Sequence, residues 1–168
     1  DVGDGVAVDD VAAARWYRMA AEQGHARAQF NLGVMLAAGE GVPEDDAVAL
    51  QWYRMAAENG SANAQYAVGL AYQSGAAGVA ADFAQAVQWF RKAAEQGVPH
   101  AEFAMAVYYA DGEGVPQDFV EAYKWTAVAA AHGVKEAAAF QRVLEKKLAP
   151  EQRARAQELV QALLAGNP

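Results

Sequence analysis

Four acidic, glycine-containing segments are the part of this sequence whose residue types could do chemistry. They read GEGVPED (39–45), GAAGVAAD (75–82) and GEGVPQD (112–118), with a degenerate copy, GDGVAVD, at 3–9. A calcium loop needs alternating oxygen ligands and a terminal Glu, and a phosphate loop needs a Lys after its glycines. Because neither pattern is present, the segments predict turns between helices. Each ends in an Asp that is placed to cap the next helix: Asp9, Asp45, Asp82 and Asp118.

The histidines are the other candidates for chemistry. His25, His100 and His132 are far apart in the sequence and have no carboxylate cluster beside them, so we expect no metal site. The absence of cysteine excludes thiolate catalysis, disulfides and cysteine-based zinc sites. No nucleophile–base–orienter set and no cofactor loop is visible. The sequence therefore predicts no catalytic residue, no metal, no cofactor and no enzymatic activity.

Charge and hydropathy narrow the classes of partner. The formal net charge of −8 and the pI near 4.8 argue against nucleic acid and anionic lipid surfaces, and leave protein or peptide partners with basic residues. We find no run of about 18 apolar residues, so no membrane insertion is expected. The N-terminal DVGDGVAVDD has no initiating Met and no signal peptide, which is typical of a processed or cut end.

Several residue types recur with one period, and this recurrence predicts the elements that position everything else. Trp occurs at 16, 52, 89 and 125, so its spacings are 36, 37 and 36 residues. Two glycine series keep the same spacings, and the single longer interval comes from one extra residue in 75–78. The pattern predicts one solenoid domain over 1–168. Its parts are a partial repeat (1–24), three repeats (25–60, 61–97 and 98–133), a first helix (134–149) and a capping helix (150–168).

Each repeat is predicted to contain two helices, which gives about nine in an all-α chain. The segment 26–38 has helical spacing of apolar residues and ends at a glycine. The helix after Asp45 is expected to bury Ala49, Trp52, Tyr53 and Ala56. Small residues at fixed places, such as Ala86 and Ala122, let helices approach while the Trp fills the remaining space.

Two further expectations concern the surface and the C-terminal end. The pairs Arg54–Glu58 and Arg91–Glu95 have the i,i+4 spacing of surface ion pairs. The final segment has one apolar stripe with charges opposite, as a capping helix should. The stripe consists of Ala156, Leu159, Val160, Leu163 and Leu164.

The repeat resembles the Sel-one-like repeat family, a relative of the tetratricopeptide repeats. The segments that carry the resemblance are ARAQFNLG, GEGVPED and ALQWYRMAAENG, and it covers roughly residues 3–140. It implies a right-handed α/α solenoid of bacterial type whose first helices line a concave face, and often a periplasmic or secreted location. This chain departs from the cysteine-rich bacterial members, whose repeats are clamped by disulfides, so their penicillin-binding activity does not transfer to it.

Aligning the first helices of the repeats gives a stripe that is available for binding. Offsets of three and four residues keep its members on one helical face, which corresponds to the concave surface of tetratricopeptide repeats. The alternative is that its aromatic residues mainly pack between repeats. The candidate peptide-binding residues are Arg27, Phe30 and Val34 in one repeat, Asn63, Tyr66 and Leu70 in the next, and His100, Phe103 and Val107 in the third.

Two classes of function remain open on the sequence. The first is a noncatalytic scaffold that binds a protein or peptide, in bacterial regulation or in interaction with a host. The second is a structural module that assembles through the ends of the solenoid. The partial first repeat has Trp16 and Tyr17 but lacks a helix before them, so we expect self-association at that open N-terminal end.

Overall fold

The structure, a computed structural model, describes residues 9–166, which form nine α-helices and no strand. This confirms the expected all-α class. The degenerate loop before Asp9, with Gly5, lies outside the described residues, as do the last two residues of the chain. The helices are α1 (Asp10–Glu22), α2 (Ala26–Ala38), α3 (Asp46–Glu58), α4 (Ala62–Ser74), α5 (Phe83–Glu95), α6 (Pro99–Asp111), α7 (Phe119–Ala131), α8 (Lys135–Glu145) and α9 (Pro150–Gly166).

The helices pack in sequential pairs. α2 pairs with α3, α4 with α5, and α6 with α7, and the second helix of each pair also contacts the first helix of the next. The last helix breaks this order because α9 packs chiefly against α7. Ala156 of α9 is buried there, whereas Leu164 at the end of the expected apolar stripe is 39% exposed.

Asp side chains begin the second helices, as expected. Asp45 Oδ1 accepts a hydrogen bond from the Val48 amide at 2.9 Å, and Asp82 Oδ1 accepts one from Gln85 at 3.0 Å. Asp118 accepts two, from Val120 and Glu121. These bonds satisfy amides that have no partner within the helix. The acidic glycine segments that the structure describes, 39–45, 75–82 and 112–118, are therefore helix-capping turns.

The tryptophans are not equally buried, which corrects the expectation that each fills space between helices. Trp125 is 6% exposed, Trp52 and Trp89 are half-buried, and Trp16 is 69% exposed. Trp52 and Trp89 each pack toward the two preceding helices, Trp52 against residues of α1 and α2 and Trp89 against residues of α3 and α4. No helix precedes α1 within residues 9–166, so nothing described there covers Trp16. Ala49, Ala56 and their counterparts in the two following repeats are buried as expected, whereas Ala13 and Ala20 of α1 are half-buried.

The expected ion pairs Arg54–Glu58 and Arg91–Glu95 are wrong: neither is found among the described residues. Arg54 Nη2 instead donates to the Tyr72 hydroxyl at 2.9 Å, and Arg91 Nη2 donates to the Tyr109 hydroxyl at 2.9 Å. Both guanidinium groups also lie over the ring of their tyrosine. A tyrosine on the next helix offers an acceptor and a π face together, and this outweighs one exposed ion pair.

Candidate functional site

The nine candidate binding residues occupy equivalent positions on α2, α4 and α6. Five of them are exposed, and these are Arg27, Val34, Asn63, Leu70 and His100. The other four are half-buried, and these are Phe30, Tyr66, Phe103 and Val107. We call this surface the first-helix face, defined by these nine residues.

The three aromatic residues of the first-helix face each pack against another ring. Phe30 lies 5.6 Å from Tyr53 between ring centroids, and Tyr66 lies 5.6 Å from Phe90. In both cases the partner is on the second helix of the same pair. The third ring, Phe103, instead meets Phe140 of α8, at 5.8 Å. These aromatics therefore help to pack the repeats while part of each ring stays accessible.

One contact links two neighbouring repeats across the first-helix face. The Tyr66 ring lies 6.3 Å from the His100 ring, so an aromatic residue of one repeat borders a polar residue of the next. Burial raises the pKa of the Tyr66 phenol above its usual value. Tyr66 therefore remains a neutral phenol at physiological pH, able to donate and accept hydrogen bonds.

A cleft of about 540 Å³ opens between the starts of α2 and α4. Arg27, Phe30 and Asn63 of the first-helix face line it together, so the structure brings these three candidates to one site. Sequence reasoning missed its other polar members, which are Asn31, Asn59 and Ser61. Asn59 and Ser61 escaped notice because they follow a second helix, and only the turn between pairs carries them to the first-helix face.

The remaining candidates lie away from this cleft. Val34 borders a separate hollow of about 300 Å³ that Asp10, Tyr17 and Asn31 also line. Leu70 continues the exposed face along α4, and His100, Phe103 and Val107 lie on α6. The first-helix face is thus a row of shallow features, and the α2–α4 cleft is the one that brings three of the nine candidates together.

A row of buried polar side chains lies directly beneath the first-helix face. Gln29 Nε2 donates to the Ala21 carbonyl at 3.2 Å, while its Oε1 accepts from Asn59 Nδ2 at 2.9 Å. Gln65 repeats the arrangement, donating to Ala57 and accepting from Gln96 Nε2 at 2.7 Å. Each glutamine therefore ties its own helix to the ends of the two neighbouring second helices.

The third repeat replaces this amide pair with ionisable groups. His132 Nδ1 lies 2.9 Å from both carboxylate oxygens of Glu102, whose side chain is 1% exposed. Burial raises the pKa of the Glu102 carboxyl, and the hydrogen bond and charge of His132 oppose that rise. Sequence reasoning missed the pair, although its signal was present: Glu102 interrupts the series AQF, AQY, AEF.

The groups on this face are suited to recognition. Amide, guanidinium and hydroxyl side chains can donate or accept hydrogen bonds, and the aromatic rings supply contact area. Over residues 9–166 no cluster of three or more His, Cys, Asp or Glu side chains is placed to hold a metal ion. None of the nine helices is both long and apolar enough to cross a membrane.

Comparison with known proteins supports this architecture. A family model described as Sel1 repeat matches residues 1–25, 26–61, 62–98 and 99–134. The structure of c5321, a protective antigen of uropathogenic Escherichia coli displaying an SLR fold, superposes with a TM-score of 0.84 at 35% identity. That match covers 98% of this chain but 35% of c5321.

Two further solved structures are similar. A Sel1 repeat protein from Oxalobacter formigenes is 34% identical with a TM-score of 0.69, over 77% of this chain and 56% of that one. The cysteine-rich protein B of Helicobacter pylori, at 22% identity, shares the fold with a TM-score of 0.61, over 82% of this chain and 99% of that one. No curated protein matches the chain.

Proposed function

Because the chain belongs to the Sel1 repeat family, we propose that it is a noncatalytic scaffold that binds a peptide segment of a partner protein. The first-helix face is the binding surface, and the α2–α4 cleft is its centre. A role in bacterial regulation or in contact with a host fits a relative that is itself a protective antigen of uropathogenic Escherichia coli. The chain spans 35% of the length of that relative. The proposed peptide partner is therefore a partner of the repeats in this chain and not of the whole relative.

The cleft between α2 and α4 carries the proposal. It combines one partly accessible ring, Phe30, with the side-chain amides of Asn31 and Asn63. A side-chain amide offers a donor and an acceptor, which matches the N–H and C=O groups of an extended peptide. An aromatic ring adds contact area at a small loss of conformational entropy. This mixture binds a peptide main chain and leaves selectivity to the neighbouring repeats.

Basic residues of the partner are expected to lie outside the cleft. Arg27 is a cation at the cleft wall, whereas the chain as a whole carries a net charge of −8. Arg27 therefore binds a carbonyl or carboxylate of the peptide, while Lys or Arg residues elsewhere on the partner speed encounter. Affinity for a short flexible peptide is expected to be on the order of micromolar, because ordering the segment offsets much of the contact energy.

A selection experiment tests the proposal. A displayed library of random 15-residue peptides is selected against the intact chain, and each recovered peptide is titrated against Asn63→Ala and Arg27→Ala. Both residues are exposed, so helical content should stay unchanged while binding weakens by about 1–3 kcal/mol. Gln51→Ala, at an exposed position of α3, is the matched control and should bind as the parent does.

The Gln51→Ala control also shows which outcome would contradict the proposal. Unchanged affinity in both cleft variants, or an equal loss in Gln51→Ala, would move binding away from the first-helix face. Tyr66→Ala then separates packing from recognition. A large loss of stability in that variant would assign Tyr66 to the packing with Phe90, whereas a loss of affinity in a folded protein assigns it to the partner.

The alternative function is assembly through the N-terminal end. Three apolar side chains on α1 are strongly exposed: Val11 (49%), Trp16 (69%) and Met19 (54%). Sedimentation velocity over a range of concentrations tests this alternative. A self-associating chain should become monomeric in Trp16→Glu and not in Val143→Glu, whose exposed residue lies on α8. If the chain stays monomeric at all concentrations, assembly through the N-terminal end is excluded and peptide binding remains the proposed function.

A further inference from the structure

Three polar pairs lie beneath the first-helix face, each with one buried member, and they differ in one property, the ability to titrate. Gln29–Asn59 and Gln65–Gln96 are amide pairs and keep one charge state at any ordinary pH. Glu102–His132 occupies the aligned place in the third repeat, and both of its members can gain or lose a proton. We propose that Glu102 and His132 form a proton-responsive latch that holds the α7–α8 turn on α6 and makes the third repeat alone sensitive to pH.

The burial of the two partners is unequal, and this asymmetry gives the latch its response. The Glu102 side chain is 1% exposed, whereas His132 is 31% exposed and can exchange protons with solvent. A carboxylate removed from water is costly unless an opposite charge and hydrogen bonds compensate it. His132 supplies both when its ring is protonated, because Nδ1–H donates to the carboxylate and the imidazolium carries the opposite charge.

Other charges around the latch are not placed to replace His132. Lys92 and Glu95 near the end of α5 are exposed, as are Lys135 and Glu136 at the start of α8. On α7, Lys124 is paired with Glu121 at 2.6 Å, more than one helical turn from the C-terminal end where His132 lies. The hydrogen bond and charge of His132 act to lower the pKa of the Glu102 carboxyl, against the larger rise that burial causes.

The sign of the pH effect follows from the raised pKa of Glu102. A carboxyl group whose pKa is higher in the folded than in the unfolded state binds more protons when folded. Its contribution to stability is fully present below the unfolded pKa, roughly 4.3 for a glutamate. That contribution is lost as the pH rises through the folded pKa of Glu102. The latch therefore weakens toward alkaline pH.

Weakening of the latch is expected to affect the C-terminal part of the array. Phe103, next to Glu102, packs against the buried cluster of Ala129, Val134 and Ala137, and its ring meets Phe140 of α8. These contacts join α6, the end of α7 and α8 around the latch. Opening of the α7–α8 turn is therefore expected to expose amides of α6, α7 and α8 and to leave α2 and α3 unaffected.

Segment-resolved hydrogen exchange tests the latch, with rates divided by the intrinsic exchange rate at each pH. In the parent chain, protection of 99–145 should fall several-fold as the pH rises from about 4.5 to about 8.5, while protection of 26–58 stays constant. The double variant Glu102→Gln/His132→Asn reproduces the Gln29–Asn59 pair of the first repeat. It should abolish the pH dependence of 99–145.

A transplant supplies the matched gain of function. Gln65→Glu/Gln96→His moves the ionisable pair into the second repeat, where 62–95 should acquire the pH dependence. Unchanged pH dependence of 99–145 in Glu102→Gln/His132→Asn would overturn the proposal. So would a folded transplant without any response. If the transplant does not fold, the single variant Glu102→Gln decides, because the latch requires it to flatten the profile of 99–145.

Discussion

A Cβ atom placed on Gly69 would lie 2.6 Å from Cε1 of Phe90, closer than packed atoms can approach. The same relationship joins Gly33 and Tyr53 in the preceding repeat. The third repeat has Ala106 at the aligned glycine position and Thr126 at the aligned ring position, and both are buried. Where the first helix has a glycine, the second helix has an aromatic ring. Where the first helix has the larger alanine, the second helix has the smaller threonine.

This relationship predicts that Gly69→Ala destabilises the protein although alanine is the better helix former. The expected loss is about 1–3 kcal/mol, because Phe90 is fully buried and has no room to move away. Chemical denaturation measures the loss. In a Phe90→Thr background the same Gly69→Ala change should be neutral or stabilising. Equal losses in both backgrounds would contradict the steric account.

The gradient of tryptophan burial predicts a graded series of alanine substitutions. Trp125→Ala should cost about 3–5 kcal/mol, since its ring is buried against α5 and α6. Trp16→Ala should change stability by less than about 0.5 kcal/mol, because that ring is 69% exposed. Trp52→Ala should fall between them. Thermal unfolding of the three variants measures the order, and a large loss for Trp16→Ala would require a partner surface on α1.

Removal of the helix cap at Asp45 should lower the free energy of unfolding. Asp45→Ala removes the bond to the Val48 amide and should lower stability by about 1 kcal/mol. Asp45→Asn keeps an acceptor at the same place, so it is the matched control and should lose little. Calcium and EDTA should leave the melting temperature of the parent chain unchanged. A thermal shift with calcium would instead assign the 39–45 segment to a metal loop.

The Arg54–Tyr72 contact predicts a measurable coupling between neighbouring helices. Tyr72→Phe removes the hydroxyl acceptor but keeps the ring under the guanidinium, so it should cost about 0.5–1.5 kcal/mol. A double-mutant cycle with Arg54→Ala measures the coupling. Glu58→Gln is the control, because the structure gives Arg54 a tyrosine partner on α4. A larger loss of stability in Glu58→Gln than in Tyr72→Phe would instead indicate that Arg54 pairs with Glu58.

Local and periodic features of this protein were determined by its sequence. The spacing of Trp and Gly predicted the repeat, the Asp residues predicted the helix starts, and the alanine series predicted where helices approach. Each of these features depends on residues close together in the chain or on a period of 36 or 37 residues. Hydrogen bonds at helix ends need no knowledge of a distant partner, and the burial of small residues follows from the stacking of one repeat on the next.

The tertiary structure decided which of several possible neighbours a side chain contacts. Arg54 has Glu58 one turn away on its own helix, and only the packing of α3 on α4 offers Tyr72 instead. Trp16 is exposed because no helix precedes α1 within residues 9–166, whereas the other three tryptophans pack against the two helices before them. Glu102 and His132 are 30 residues apart and meet only because α6 packs on α7. Contacts of this kind depend on the geometry between helices, which a one-dimensional period does not contain.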